Sequence, residues 1–143
     1  MAGRYGMSFA KKHIEDGEYD EAIAAATEML TAGEGGPEPW FDRGTAYELC
    51  ERYAEAVTDL EQAITMNKAA QEIDPFSLDD AYFSATLGAA RAERDPKAGV
   101  ARLDRYRELL PDGAHVAESR DWQKRLRGEL PSLLDKTKSV DQA

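Results

Sequence analysis

The chain of 143 residues carries one cysteine, Cys50, and two histidines, His13 and His115. A lone cysteine forms no internal disulfide, which points to a reducing, cytoplasmic setting. No run approaches the roughly 18 consecutive apolar residues of a membrane span, so no membrane helix is expected. The opening MAGRYGMSFAKKH has neither an apolar core nor a small-residue cleavage site, so no secretory signal is expected. Basic residues are missing from a whole stretch. There is no Lys or Arg from His13 to Asp42, where Glu15, Asp16, Glu18, Asp20, Glu21, Glu28, Glu34, Glu38 and Asp42 fall. The net charge is −10, yet from Arg91 onward basic residues slightly outnumber acids. Such an acidic half repels nucleic acid and anionic lipid and suits a basic partner, besides keeping the chain soluble.

Chemistry-bearing constellations are equally scarce. His13 stands two residues before Glu15, on a different helical face, and His115 starts a late helix. Neither has a second His or Cys at metal-ligand spacing, so no metal is expected. Cys50, flanked by Leu49 and Glu51, reads as a small packing residue rather than a nucleophile. The Gly-rich AGEGGPEP has no strand before it and no Lys-Ser/Thr after it, and acids surround it. It reads as a linker rather than a phosphate cradle. The pair Asp79–Asp80 reads as a helix N-terminus, where the dipole favours acids. No basic stripe with interleaved aromatics appears, which argues against nucleic-acid binding. The expectation is no catalytic residue, no cofactor and no enzymatic activity.

What is present is helical periodicity. Ala22, Ile23, Ala26, Met29 and Leu30 form one apolar face. Ala56, Val57, Leu60, Ala63 and Ile64 repeat that stripe, and Val100, Leu103, Tyr106, Leu109 and Leu110 do so again. Strand-type alternation over any useful length is missing. Breaks fall between the stripes at DGEY (16–19), TAGEGGPEP (31–39), IDPFSLDD (73–80), RDP (94–96) and LPDG (110–113). The pattern predicts helices near 3–15, 19–31, 38–50, 53–72, 78–93, 96–109 and 114–129.

Two stretches nearly repeat each other. GEYDEAI (17–23) and ERYAEAV (51–57) match at Tyr19/Tyr53, Glu21/Glu55 and Ala22/Ala56, an offset of 34 residues each time. Trp40, Gly44 and Tyr47 follow the spacing W-x3-G-x2-Y, with Ala56, Leu60 and Ala63 beyond them. The pattern resembles the tetratricopeptide repeat, a 34-residue pair of helices. Close packing explains it. Gly44 and Ala56 are small where two helices cross, and Trp40 and Tyr47 fill the space beside the crossing. Arg43 stands where the family usually has Leu, and Leu60 where a larger aromatic is common. The proline expected near residue 68 comes only at Pro75, so the second helix of this unit is expected to run two turns long.

The resemblance implies an all-α, right-handed solenoid of about three repeats, near 3–36, 37–75 and 77–111, with Gly88 and Gly99 as small positions of the third. A solvating cap helix over 114–130 carries Val116, Trp122, Leu126 and Leu130 on one face, and a frayed tail spans 131–143. The implied function is non-enzymatic docking of a peptide or protein, with no nucleic acid and no membrane. In this family the first helices line a concave groove. Its positions here are Arg4, Met7 and Lys11, then Glu38, Phe41, Asp42, Thr45 and Glu48, then Tyr82, Ala85, Thr86 and Ala89. Phe41 and Tyr82 are the aromatic anchors, unless they serve packing between repeats. A clamp for a carboxylate tail, as in co-chaperones of this family, is disfavoured because Asp42 would repel it. A self-associating assembly subunit is the alternative reading, and a small acidic secretion-type chaperone a minor one.

Overall fold

The computed structural model describes residues 9–130. Among them lie seven α-helices and no strand. These are α1 (Phe9–Glu15), α2 (Tyr19–Thr31), α3 (Glu38–Leu49), α4 (Tyr53–Ala70), α5 (Pro75–Ala92), α6 (Pro96–Leu109) and α7 (Val116–Leu126). Each helix packs on the next in sequence, and α3 packs in addition on α1 and α5. The helices expected at 19–31 and 96–109 have those bounds, and α3 stops one residue before the expected end. The last helix is shorter than 114–129. The start of the first expected helix, with Arg4 and Met7, and the tail 131–143 lie outside the described residues.

The echoed sequence is one structural event made twice. Gly17 has φ 75° and Glu51 has φ 63°, both in the left-handed region. After each, a backbone N–H reaches back over the helix end: Glu18 donates to the His13 carbonyl at 2.7 Å, and Arg52 to the Tyr47 carbonyl at 2.8 Å. Both members of this bond shift by the same 34 residues. The next helix starts at Tyr19 in one case and Tyr53 in the other. Glycine adopts this backbone at little cost, whereas Glu51 adopts it against side-chain sterics. The turn before α6 is built differently. Glu93 is extended there (ψ 136°), and Asp95 caps α6 by accepting from the Lys97 N–H at 3.0 Å.

The long fourth helix forms as the missing proline implies, but it ends at Ala70 rather than 72. Gln71 turns left-handed, at φ 51°. Buried Asn67 fastens the exit: its Oδ1 accepts from the Glu72 and Ile73 N–H groups, each at 2.9 Å. Its Nδ2 donates to the Ile73 carbonyl, also at 2.9 Å. The helix expected to begin at 78 begins instead at Pro75. Asp74 caps it, accepting from the Phe76 N–H at 3.3 Å and the Ser77 hydroxyl at 3.1 Å, and Pro75 supplies a preset first-turn φ. The Asp79–Asp80 pair therefore sits one turn into α5, not at its N-terminus. Asp79 is buried and does tertiary work described below.

The core centres on α4, α5 and α6. Leu60, Tyr82, Leu103 and Tyr106 are fully buried there, beside Phe83, Ile64 and Leu78. Each large side chain removed from water contributes roughly 1.5–3 kcal/mol. Small residues set the close approaches. A Cβ on Gly44 would lie 2.8 Å from the Leu60 side chain and 3.3 Å from the Ala56 carbonyl, so that crossing matches expectation. A Cβ on Gly99 would lie 2.7 Å from the Ala90 carbonyl, and one on Gly88 would meet the Tyr53 ring at 2.5 Å. Tyr53 thus packs across to α5, beyond its own turn. Tyr19 is half-buried, and Ala22, Ala56 and Ala63 are fully buried.

Candidate binding groove

A groove of about 400 Å³ runs between α3 and α5. Phe41, Thr45 and Glu48 line one wall; Ser77, Asp80, Ala81 and Ser84 line the other. Each wall is a single helical stripe, with residues three and four apart stacked on one face. The α3 wall consists of positions expected to face a partner. The α5 wall does not. Tyr82, Ala85, Thr86 and Ala89 were expected there, yet all four are buried. The helix is turned by about one residue, roughly 100°, relative to the expected frame. Its large aromatic faces the core, and a stripe of small and polar residues faces the groove. Tyr82 is therefore a packing residue rather than a docking anchor. Its ring centroid lies 5.9 Å from that of Tyr106, and its hydroxyl donates to Glu61 at 2.8 Å. Burial first, then that carboxylate, pushes the Tyr82 hydroxyl well above its ordinary pKa.

The remaining expected positions divide in two. Glu38 is half-buried in the first turn of α3. Asp42 is buried, and Lys11 donates to it at 3.2 Å, so both serve contact between α1 and α3. The Lys11 ammonium also lies 5.7 Å from the centre of the Phe41 ring. Arg43 joins α3 to its neighbours. Its guanidinium grips Asp59 of α4 with two bonds, at 2.7 and 2.9 Å, and lies over Trp40 and Tyr47 at 5.4 and 5.8 Å. The hydrogen bond to Asp59 is the leading cause that raises the Arg43 pKa, against desolvation. The bidentate ion pair joins α3 to α4.

Beyond the α5 wall lies a polar cluster that the sequence reading did not assemble. Asp79 accepts from the buried Tyr106 hydroxyl and from the Ala114 N–H at 2.7 Å. The Tyr106 oxygen in turn accepts from the His115 N–H at 3.1 Å. The imidazole of His115 stacks on Phe83, with centroids 4.5 Å apart and planes 2° from parallel. Its Nε2 is 2.7 Å from Asp80 Oδ1, and its Nδ1 is 3.0 Å from Glu118 Oε1. Burial opposes the imidazolium, but Asp80 and Glu118, with Asp79 behind them, raise the His115 pKa above its ordinary value. The cluster ties the α6–α7 connection to α5. The α7 helix is fastened further by Arg107, which donates to Ser119 at 2.7 Å and to Gln123 at 2.9 Å. The guanidiniums of Arg91 and Arg125 both lie over the Trp122 ring of α7, at 4.9 and 5.1 Å from its centre.

Elsewhere the chemistry is plain. Cys50 is half-buried just past α3, its thiol 3.5 Å from the Tyr47 carbonyl. His13 Nδ1 sits 2.9 Å from Glu18. Among the described residues no group of three or more His, Cys, Asp or Glu is placed to hold a metal, and no helix is long and apolar enough to cross a membrane. A second depression, of about 360 Å³, is lined by Phe9, Ala10, Ala25, Met29 and Ala32 together with Glu28 and Glu34. No family model, curated protein or solved structure matches the chain.

The α3–α5 groove is open and acid-lined. Glu48 and Asp80 face it, and no basic residue lines it. Glu48 accepts a hydrogen bond from Ser84 across the groove, which links the two walls. The arrangement offers one half-buried aromatic, a shelf of small side chains and two carboxylates.

Proposed function

We propose that the chain is a tetratricopeptide-type solenoid of three helical pairs with a terminal cap, and that it binds a basic segment of a peptide or protein in the α3–α5 groove without catalysing a reaction. In this reading α1/α2, α3/α4 and α5/α6 are the pairs and α7 is the cap. Three features support the arrangement: the 34-residue recurrence of the turn before α2 and α4, the contact of α3 with α1 and α5, and the glycine-permitted crossing of α3 and α4. The observation that carries the function is the groove lining: an aromatic wall facing a small-residue wall, with carboxylates as its charged groups. A basic, partly apolar segment complements both.

The test is selection of displayed random peptides on the immobilised protein, followed by affinity measurement on variants. Selected sequences should be rich in Lys or Arg. Phe41→Ala should weaken them at least tenfold, the scale of an aromatic anchor. Tyr82→Ala is unsuitable because Tyr82 is core. Selected peptides that bind wild type and Phe41→Ala equally would overturn the groove.

A further inference from the structure

Asp80 has two claims on it. It lines the groove, with a side chain 71% exposed, and one of its oxygens is engaged by His115 from behind. We infer that a cationic side chain of the partner docks at Asp80 in competition with His115, so that protonation of His115 opposes binding and its deprotonation favours it. This rests on the groove reading above and adds how that site is regulated.

The geometry supplies the argument. Both ring nitrogens of His115 face carboxylates, Asp80 at 2.7 Å and Glu118 at 3.0 Å. A neutral imidazole donates through one nitrogen only, whereas the imidazolium satisfies both partners. The other groups facing the ring are Asp79 of α5, whose charge acts on it, and Tyr106 of α6, whose ring centroid is 6.5 Å away. Every ionised group around the ring is thus an acid, and Tyr106 stays a neutral hydroxyl because burial and Asp79 raise its pKa. When His115 is charged, Asp80 is neutralised from within and the groove keeps Glu48 as its uncompensated acid. When His115 loses its proton, Asp80 regains its full field toward the groove. The raised pKa of His115 puts this change above the ordinary histidine value. Linkage makes the effect reciprocal: a bound cation at Asp80 weakens proton binding at His115 by the same factor by which protonation weakens binding of the cation.

The experiment uses the full chain and an acetylated, amidated peptide of alternating arginine and leucine, whose charge is constant over the range tested. Titration calorimetry at fixed ionic strength runs from about pH 5.5 to about pH 8.5. Wild type should bind about fivefold more tightly at the upper end, the scale of one unit charge near contact in a water-like dielectric. His115→Gln should remove the slope, His13→Gln should keep it, and Asp80→Asn should weaken binding and flatten it. If His115→Gln does not fold, wild type still decides. The His115 ring-proton titration, read by nuclear magnetic resonance, should move to lower pH when the peptide is added. Binding with no pH slope, a slope that persists in His115→Gln, or an unmoved His115 titration overturns the competition while leaving the groove intact. No binding at any pH, or binding unchanged by Phe41→Ala, overturns the groove reading and this inference with it.

Discussion

The first two helices and the later ones are attached by different means. In α1 and α2 the buried residues are Ala10, Ala22 and Ala26. In α5 and α6 they include Leu78, Tyr82, Phe83, Leu103 and Tyr106, with Asp79 buried among them. A seam of methyl groups brings backbones close but removes little apolar area from water. A seam of rings removes far more, and it must then satisfy the hydroxyls it buries, here through Glu61 and Asp79. The first kind of contact should fail when something is added to it. The second should fail when something is taken away.

Four measurements bear on that contrast. The largest effect is expected from Tyr106→Ala, about 3–5 kcal/mol of stability lost in urea unfolding. Tyr106→Phe should lose about 1–3 kcal/mol, because Asp79 and the His115 N–H then lack their partner. A much smaller loss in both would mean that the ring and its hydroxyl carry little. Next is Ala26→Leu, expected to cost about 1–3 kcal/mol by overpacking. If Ala26→Leu is neutral by the same assay, the alanine seam is loose rather than close. Third, Glu51→Gly should add up to about 1 kcal/mol, seen as a higher melting temperature, since Gly17 already shows the residue this turn prefers. A lower melting temperature would mean that the Glu51 side chain makes a contribution exceeding its backbone strain.

The smallest effect concerns pH. The His115 pKa is raised in the folded state. Its stabilising share is therefore fully present below the ordinary histidine value and is lost as pH rises through the raised native one. The share should be under about 1 kcal/mol, as for half-exposed ion pairs. Urea midpoints taken across neutral pH should fall with a slope that His115→Gln removes; an identical slope in the variant would assign the effect elsewhere.

Much of the chain could be read from letters alone where the signal is local. The stripes at 22–30 and 56–64 set α2 and α4, and Gly17, Pro96 and the TAGEGGPEP run marked breaks that the structure keeps. The crossing at Gly44 and Ala56 also followed from residue size, and the structure adds Leu60 to it. The groove was half legible. Phe41, Thr45 and Glu48 face it as expected, but Ser77, Asp80, Ala81 and Ser84 were missed. Part of the signal was available: Asp74–Pro75 is a cap and first-turn pair, and starting α5 there adds Ser77 to the face that 80, 81 and 84 share. Reading IDPFSLDD as a break removes Ser77 from that stripe. The His115 cluster was not legible at all, because Asp79 and Asp80 lie about 35 residues from their partners Ala114 and His115.

The sequence by itself determined that the described chain is helical, where most helices start and stop, and that one turn occurs twice at an interval of 34 residues. These depend on periodicity, capping and side-chain size, which act over a few residues. Only the tertiary structure decided which face of α5 meets the core, that Arg43 is an ion-pair partner of Asp59, and that Asp80 stands between a groove and a histidine. Rotation of a helix about its axis is set by the sum of its long-range contacts. So is the company that a buried charge keeps.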